Sequence, residues 1–133
     1  MTTHSAIVTN QAPTPAPVFN QGVCCDKLLQ VSGQGPQDPV TGEYLYPGDV
    51  KAQTTLAMQN VLAILRQGGA GLADVVMMRV YITSRDDFGA MNQAYGDFMA
   101  ANGADVLPAR TTLIVGLPHA GMLVEVDALA VLP

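Results

Sequence analysis

Two charged side chains stand where the chain is most apolar, and they are the first candidates for chemistry. Residues 107–131, LPARTTLIVGLPHAGMLVEVDALAV, hold two apolar segments of period two joined by a short turn, with Arg110 opening the first and Glu125 inside the second. After Arg85, Arg110 is the only lysine or arginine in the sequence. A guanidinium in such a segment requires a carboxylate partner or an anionic ligand. A carboxylate in an apolar strand either holds its proton more tightly than usual or is specifically satisfied, which makes Glu125 an acid/base candidate, although Asp127 shares its face. With the two strands taken as neighbours, two readings stay open. Arg110 and Glu125 form a structural ion pair, or Arg110 clamps a substrate carboxylate while Glu125 positions water.

Other reactive residue types are sparse. Cys24 and Cys25 are adjacent, which suits neither a disulfide framework nor a four-ligand metal site, and a reduced, cytoplasmic setting is expected. His4 and His119 have no metal-ligand partners at useful spacing and read as solvated. Gly33 and Gly35 are followed by Pro36 rather than a helix, so they shape a loop and do not cradle a phosphate. The formal net charge of -5, with no cluster of basic residues, argues against extended nucleic-acid or anionic-membrane binding. The polar N-terminus predicts neither a signal peptide nor a spanning helix.

These residues need a scaffold. At 133 residues a single domain is expected, long enough for a two-layer core. Apolar residues make up 49% and charged residues 13%, a balance that points to a large subunit interface. Residues 1–17, with Pro13, Pro15 and Pro17 at alternate positions, read as a flexible N-terminal tail, and 18–133 as the domain. A strand from 18 or 19 to 25, a tight turn at Asp26-Lys27 and a strand over 28–32 make an opening hairpin.

Asp49 caps a helix over 50–67, whose stripe Val50, Thr54, Ala57, Met58, Val61, Leu62 and Leu65 recurs every three to four positions, and Gly68-Gly69 stops it. Residues 73–83 read as a central strand. Ser84, with Asp87 in the capping-box slot, opens a second helix packed through Phe88, Met91, Asn92, Tyr95, Phe98 and Met99. Asn92 is an amide in an apolar stripe, there to cap backbone at the sheet edge or to line a polar pocket. Strands over 110–115 and 122–131 follow. With a short strand near 43–46, the expectation is an α+β fold: a mixed or antiparallel sheet of about six strands with two helices packed on one face. The uncovered sheet face predicts association through the sheets, most simply as a closed ring.

Several motifs then become recognisable together: Pro108-Ala-Arg110-Thr-Thr, Leu117-Pro118, and Leu123-Val-Glu125-Val followed by Asp127-Ala-Leu-Ala-Val. Ser32-Gly33-Gln34, Thr41-Gly42-Glu43, Gln53, Asp87-Phe88 and Asn92-Gln-Ala-Tyr95 accompany them. On these residues, over about 12–131, the sequence resembles the Rid family of imine deaminases, also called the YjgF or L-PSP endoribonuclease-like family. The resemblance implies a chorismate mutase-like subunit in a homotrimer with three intersubunit clefts. It implies hydrolysis of enamines and imines such as 2-aminoacrylate/2-iminopropanoate to 2-oxo acids and ammonia, with no cofactor and no metal. It assigns the substrate carboxylate to Arg110 and the attacking water to Glu125. Ser32 and Gly33 would line the pocket and Asn92 would form a polar wall.

Three positions depart from the family pattern. Phe19 stands where a tyrosine is usual and cannot donate a hydrogen bond, though it can pack on a ligand. Thr112 replaces a frequent cysteine, leaving backbone contacts to substrate but no thiol. The turn His119-Ala-Gly121 is small where many members carry a charge. These differences admit a different 2-imino acid or a larger enamine such as an aminomuconate-like compound. They equally admit a non-catalytic, small-carboxylate-binding or chaperone-like trimer. The ribonuclease activity reported for some relatives is opposed by the acidic net charge.

Overall fold

The computed structural model describes residues 3–133. Helix α1, Val50–Gln67, follows from its apolar stripe and its two ends. Asp49, in an extended conformation, accepts a hydrogen bond from the Ala52 amide at 3.1 Å, satisfying one of the free donors of the first turn. Gly69, at φ 92°, lets the chain leave the helix through the left-handed region. All seven stripe residues are buried, and so are Gln53, Asn60 and Ile64. Helix α2, Phe88–Ala101, packs beside α1 through Met91, Tyr95, Phe98 and Met99.

The strands are β1 (His4–Ile7), β2 (Gly22–Cys25), β3 (Leu28–Gln34), β4 (Val75–Ile82), β5 (Ala109–Ile114) and β6 (Val124–Val131). They form one mixed sheet in the order β1-β2-β3-β6-β4-β5, antiparallel throughout except for the parallel β4/β5 pair. Asp26, at φ 53°, makes the β2–β3 turn, a conformation its short polar side chain tolerates. One face of the sheet carries Leu29, Val31, Met78, Val80, Ile82, Val124, Val126, Ala128 and Ala130, all fully buried in the core with the helices. Each of the larger of these contributes about 1.5–3 kcal/mol by leaving water. The alternating residues, Gln30, Arg79, Tyr81, Glu125 and Asp127, lie on the opposite face, where no helix packs. The α+β reading with two helices on one face of a six-stranded sheet therefore holds.

Several boundaries and one adjacency differ from expectation. The segment read as a flexible tail contains β1, which pairs with β2 from His4↔Cys25 to Ile7↔Gly22 and buries Ile7; its first two residues lie outside the described ones. This strand completes the sheet, because residues 43–46 give only an isolated bridge between Gln37 and Tyr44. β2 starts at Gly22 rather than at 18 or 19, since the chain turns at Phe19, whose amide donates to the Ala16 carbonyl. Ser84 caps a short 3-10 turn over Arg85–Asp87 by accepting from the Asp86 amide, and α2 begins after it without the expected capping box. Phe88 and Asn92 sit at the exposed margin of α2 and not in its packed face. The adjacency matters most: β4 lies between β5 and β6, so Arg110 and Glu125 are not on neighbouring strands.

Candidate functional site

Glu125 stands on the helix-free face of β6, opposite Tyr81 of β4. A register shift in β3 between Val31 and Gln34 takes Gly33 out of the regular ladder. Gly33 faces Glu125 so closely that a Cβ there would lie 2.8 Å from the carboxyl carbon. The half-buried carboxylate accepts no hydrogen bond from the described residues. Burial raises its pKa above the ordinary glutamate value, and the negative charge of Asp127 raises it further. Asp127 is itself satisfied, accepting from Arg79 Nε at 2.8 Å and from the Tyr81 hydroxyl at 2.9 Å. A carboxylate that is unpaired, partly desolvated and reachable can take a proton from water.

The surroundings of Glu125 divide into two depressions that share Phe19, Gly33 and Pro118 with it. One is a cleft of about 400 Å³ walled by Pro13, Pro15, Tyr44 and Met122. The other is a shallower polar shelf bearing Gln30, Ser32, Arg79, Tyr81 and Asp127. Ser32 is committed structurally: its hydroxyl donates to the Asn20 carbonyl at 2.6 Å, beside Phe19.

Arg110 belongs to a different surface. It pairs in register with Met78, a core residue, so its side chain leaves β5 on the helix side of the sheet. There Nη2 donates to Asn92 Oδ1 at 2.7 Å, and the guanidinium carbon lies 4.7 Å from the Tyr95 ring centroid and 5.9 Å from that of Phe88. Burial pushes the Tyr95 phenol up in pKa while the guanidinium pulls it back. Thr112, two residues along the same edge strand, shares this face. The Asn92 side chain caps no backbone group among the described residues; its Oδ1 holds Arg110 beside α2 through one N–H and leaves the other guanidinium donors without a side-chain partner there.

The seven candidate residues thus fall into two groups. Phe19, Ser32, Gly33 and Glu125 gather on one side of the sheet, and Asn92, Arg110 and Thr112 on the other. The structural ion pair between Arg110 and Glu125 does not form; the ion pair among the described residues is Arg79–Asp127. Period two explains why: their register partners, Met78 and Tyr81, point to opposite faces of β4.

Sequence reasoning missed the side chains that hold the cleft open. Gln53 is fully buried in α1, donates to the carbonyls of Tyr46 and Gly121, and accepts from the Leu123 amide at 2.8 Å. Asn60, about two helical turns further along α1, donates to the carbonyls of Gly35 and Gln37. Gln21 accepts from the Thr9 amide and donates to the Ala12 and Pro13 carbonyls. Each wall of the cleft is therefore pinned by one buried amide, whose polar groups would otherwise be costly in the core. The available signal was polar residues at buried phases of the α1 stripe. His119 is exposed, as the solvated reading has it; its ring stacks on Tyr44, centroids 3.9 Å apart and planes at 11°, and Nδ1 accepts from the Gly121 amide.

With this geometry in hand, the comparison with known proteins is direct. The family model for Endoribonuclease L-PSP matches residues 9–132. The chain belongs to that family. A RutC family protein of Pyrococcus abyssi is 36% identical over 124 residues, covering 93% of this chain and 94% of its own. The rat 2-iminobutanoate/2-iminopropanoate deaminase is 34% identical over 125 residues, 94% of this chain and 88% of that protein. Among solved structures, Escherichia coli TdcF with bound serine superposes with a TM-score of 0.88 at 34% identity, over 97% of this chain and 98% of that one. Relatives of this chain thus include proteins named as a 2-iminobutanoate/2-iminopropanoate deaminase and as a reactive intermediate deaminase. Among the described residues of this member, no helix is long and apolar enough to cross a membrane.

Proposed function

We propose that this protein is a cytoplasmic hydrolytic deaminase of 2-imino acids and their enamine tautomers, with 2-aminoacrylate/2-iminopropanoate as the simplest substrate. It acts as a homotrimer whose clefts combine Glu125 of one copy with Arg110 of the next. The observation that carries this reading is the separation of two complementary groups. A half-buried carboxylate of raised pKa and an outward guanidinium lie on opposite faces of one sheet, so that a single copy offers half a site on each side. Exposed Leu28 and Val131 on the helix-free face, and Leu113 on edge strand β5, provide apolar surface for such a contact.

The reaction follows from these groups. Arg110 of the partner subunit binds the substrate carboxylate, presenting two donors in a plane. Water attacks C2 of the protonated imine as Glu125 accepts one of its protons, giving a carbinolamine; Glu125 returns that proton to the nitrogen, the C2–N bond then breaks as the hydroxyl loses its proton to solvent, and ammonia and a 2-oxo acid leave. The imine is already electrophilic, so orientation and one base suffice. Names of relatives support this reading: a 2-iminobutanoate/2-iminopropanoate deaminase, and TdcF, seen with serine, a small amino acid bearing a carboxylate. RNA is not favoured despite the family's description. The face around Glu125 also carries Asp127, and its Arg79 is already paired, so a phosphodiester backbone would meet two carboxylates.

The test follows loss of enzymatically generated 2-iminopropanoate. Arg110→Ala is expected to lower kcat/KM about 10- to 100-fold, the worth of a charge-assisted contact. Glu125→Gln is expected to lower kcat by about 10²- to 10⁴-fold, as for loss of a general base. Wild-type rates in both variants would refute the proposal.

A further inference from the structure

Resting on that reading, we infer that the 400 Å³ cleft beside Glu125 receives the substrate's side chain, and that the protein prefers 2-imino acids with a bulky aliphatic or aromatic side chain over those with a methyl group or a second carboxylate. Pro13, Pro15, Phe19, Tyr44, Pro118 and Met122 give the cleft apolar walls. Glu125 is its only charged lining residue, and it is an anion. Two glutamines reach the cleft, but they are neutral and each commits one of its two amide N–H groups to backbone, Gln34 Nε2 to the Ser32 carbonyl and Gln37 Nε2 to the Gly42 carbonyl. A second carboxylate placed there would lose its hydration, find no cation and face Glu125. Arg79 does not relieve this, since it lies on the neighbouring polar shelf with Nε 2.8 Å from Asp127.

Size points the same way. A methyl side chain, about the volume of one water (~30 Å³), would leave nearly all of the cleft wet, whereas a benzyl or isobutyl group would displace water from apolar walls. The walls are also able to adjust around such a group. The Met122 methyl occupies the space over Gly35, 2.6 Å from where a Cβ would stand, and the thioether chain can swing aside. Tyr44, by contrast, is braced by its stack on His119, which makes it the firm side of the cleft.

The experiment is a ladder of imines produced in situ by an amino-acid oxidase from phenylalanine, leucine, alanine and glutamate, with hydrolysis scored against the spontaneous rate. Each buried methylene raises affinity about four-fold, so kcat/KM for the phenylalanine- and leucine-derived imines is expected at least about ten-fold above that for the alanine-derived one. The glutamate-derived imine is expected to be slowest, and Tyr44→Ala should shrink the phenylalanine/alanine ratio at least about three-fold. Equal rates along the ladder, a preference for the glutamate-derived imine, or a ratio untouched by Tyr44→Ala would overturn the inference while leaving imine hydrolysis in place. Should no imine be hydrolysed above the spontaneous rate, the deaminase reading fails, and binding of 2-oxo acids by calorimetry decides the matter. Phenylpyruvate bound at least about ten-fold more tightly than pyruvate or 2-oxoglutarate supports the apolar cleft, and equal affinities overturn it.

Discussion

Gly33 owes its place to Glu125. The carboxyl group fills the space where any other residue would carry a Cβ, at 2.8 Å, but that group ends a flexible side chain and can be displaced without moving backbone. Gly33→Ala is therefore expected to shift unfolding free energy by less than about 1 kcal/mol, within the range of surface substitutions, while lowering kcat/KM at least about 100-fold through misplacement of the base. Thermal unfolding alongside the imine assay separates the two effects, and proportional losses in both would count against this role. Asp127 affects the same carboxylate through charge. Its anion is the second cause, after burial, of the raised Glu125 pKa. Asp127→Asn removes that charge and leaves Arg79 beside the site unneutralised, so both effects favour the ionised base. The acid limb of the kcat/KM profile, which reports protonation of the base, should move to lower pH; an unmoved or raised limb would show that Glu125 is not the titrating group.

At the scale of elements, the cleft is made of loops and its precision comes from α1. Gln53 holds Tyr46, Gly121 and Leu123, which belong to segments far apart in sequence. Gln53→Leu keeps the volume roughly but strands three backbone groups, and is expected to cost about 2–4 kcal/mol in denaturant unfolding; a neutral effect would mean that water replaces the amide. The helices were legible because an apolar stripe specifies each locally, with an Asp cap at the start of α1. Strand order was not: Arg110 and Glu125 lie in strands joined by one short turn, and nothing in their own residues announces that β4 inserts between them. Likewise β1 was hidden, since His4–Ile7 carries one large apolar residue, Ile7, which is buried only once the strand is paired with β2. Arg110 and Glu125 themselves stood out because charge in an apolar segment is a local signal; the buried amides did not, because their meaning depends on which loops return to α1.

At the scale of the molecule, the sheet has helices on one face and the half-buried Glu125 carboxylate on the other, with the Arg110 guanidinium on edge strand β5. Within one copy the two groups cannot reach a common ligand from opposite faces of the sheet, so the proposed reaction requires a second copy. The proposed trimer would complete a site at each junction between copies, and would give the apolar, sparsely charged composition and the uncovered face a single explanation. Complementation between two inactive variants tests this most directly. Arg110→Ala and Glu125→Gln chains, each nearly inactive alone, are co-expressed with different tags and the mixed oligomers purified. In a mixed trimer of either composition one junction in three pairs an intact Arg110 with an intact Glu125, so recovery of about a third of wild-type activity per site is predicted. Mixed oligomers no more active than either variant alone would contradict a site shared between copies.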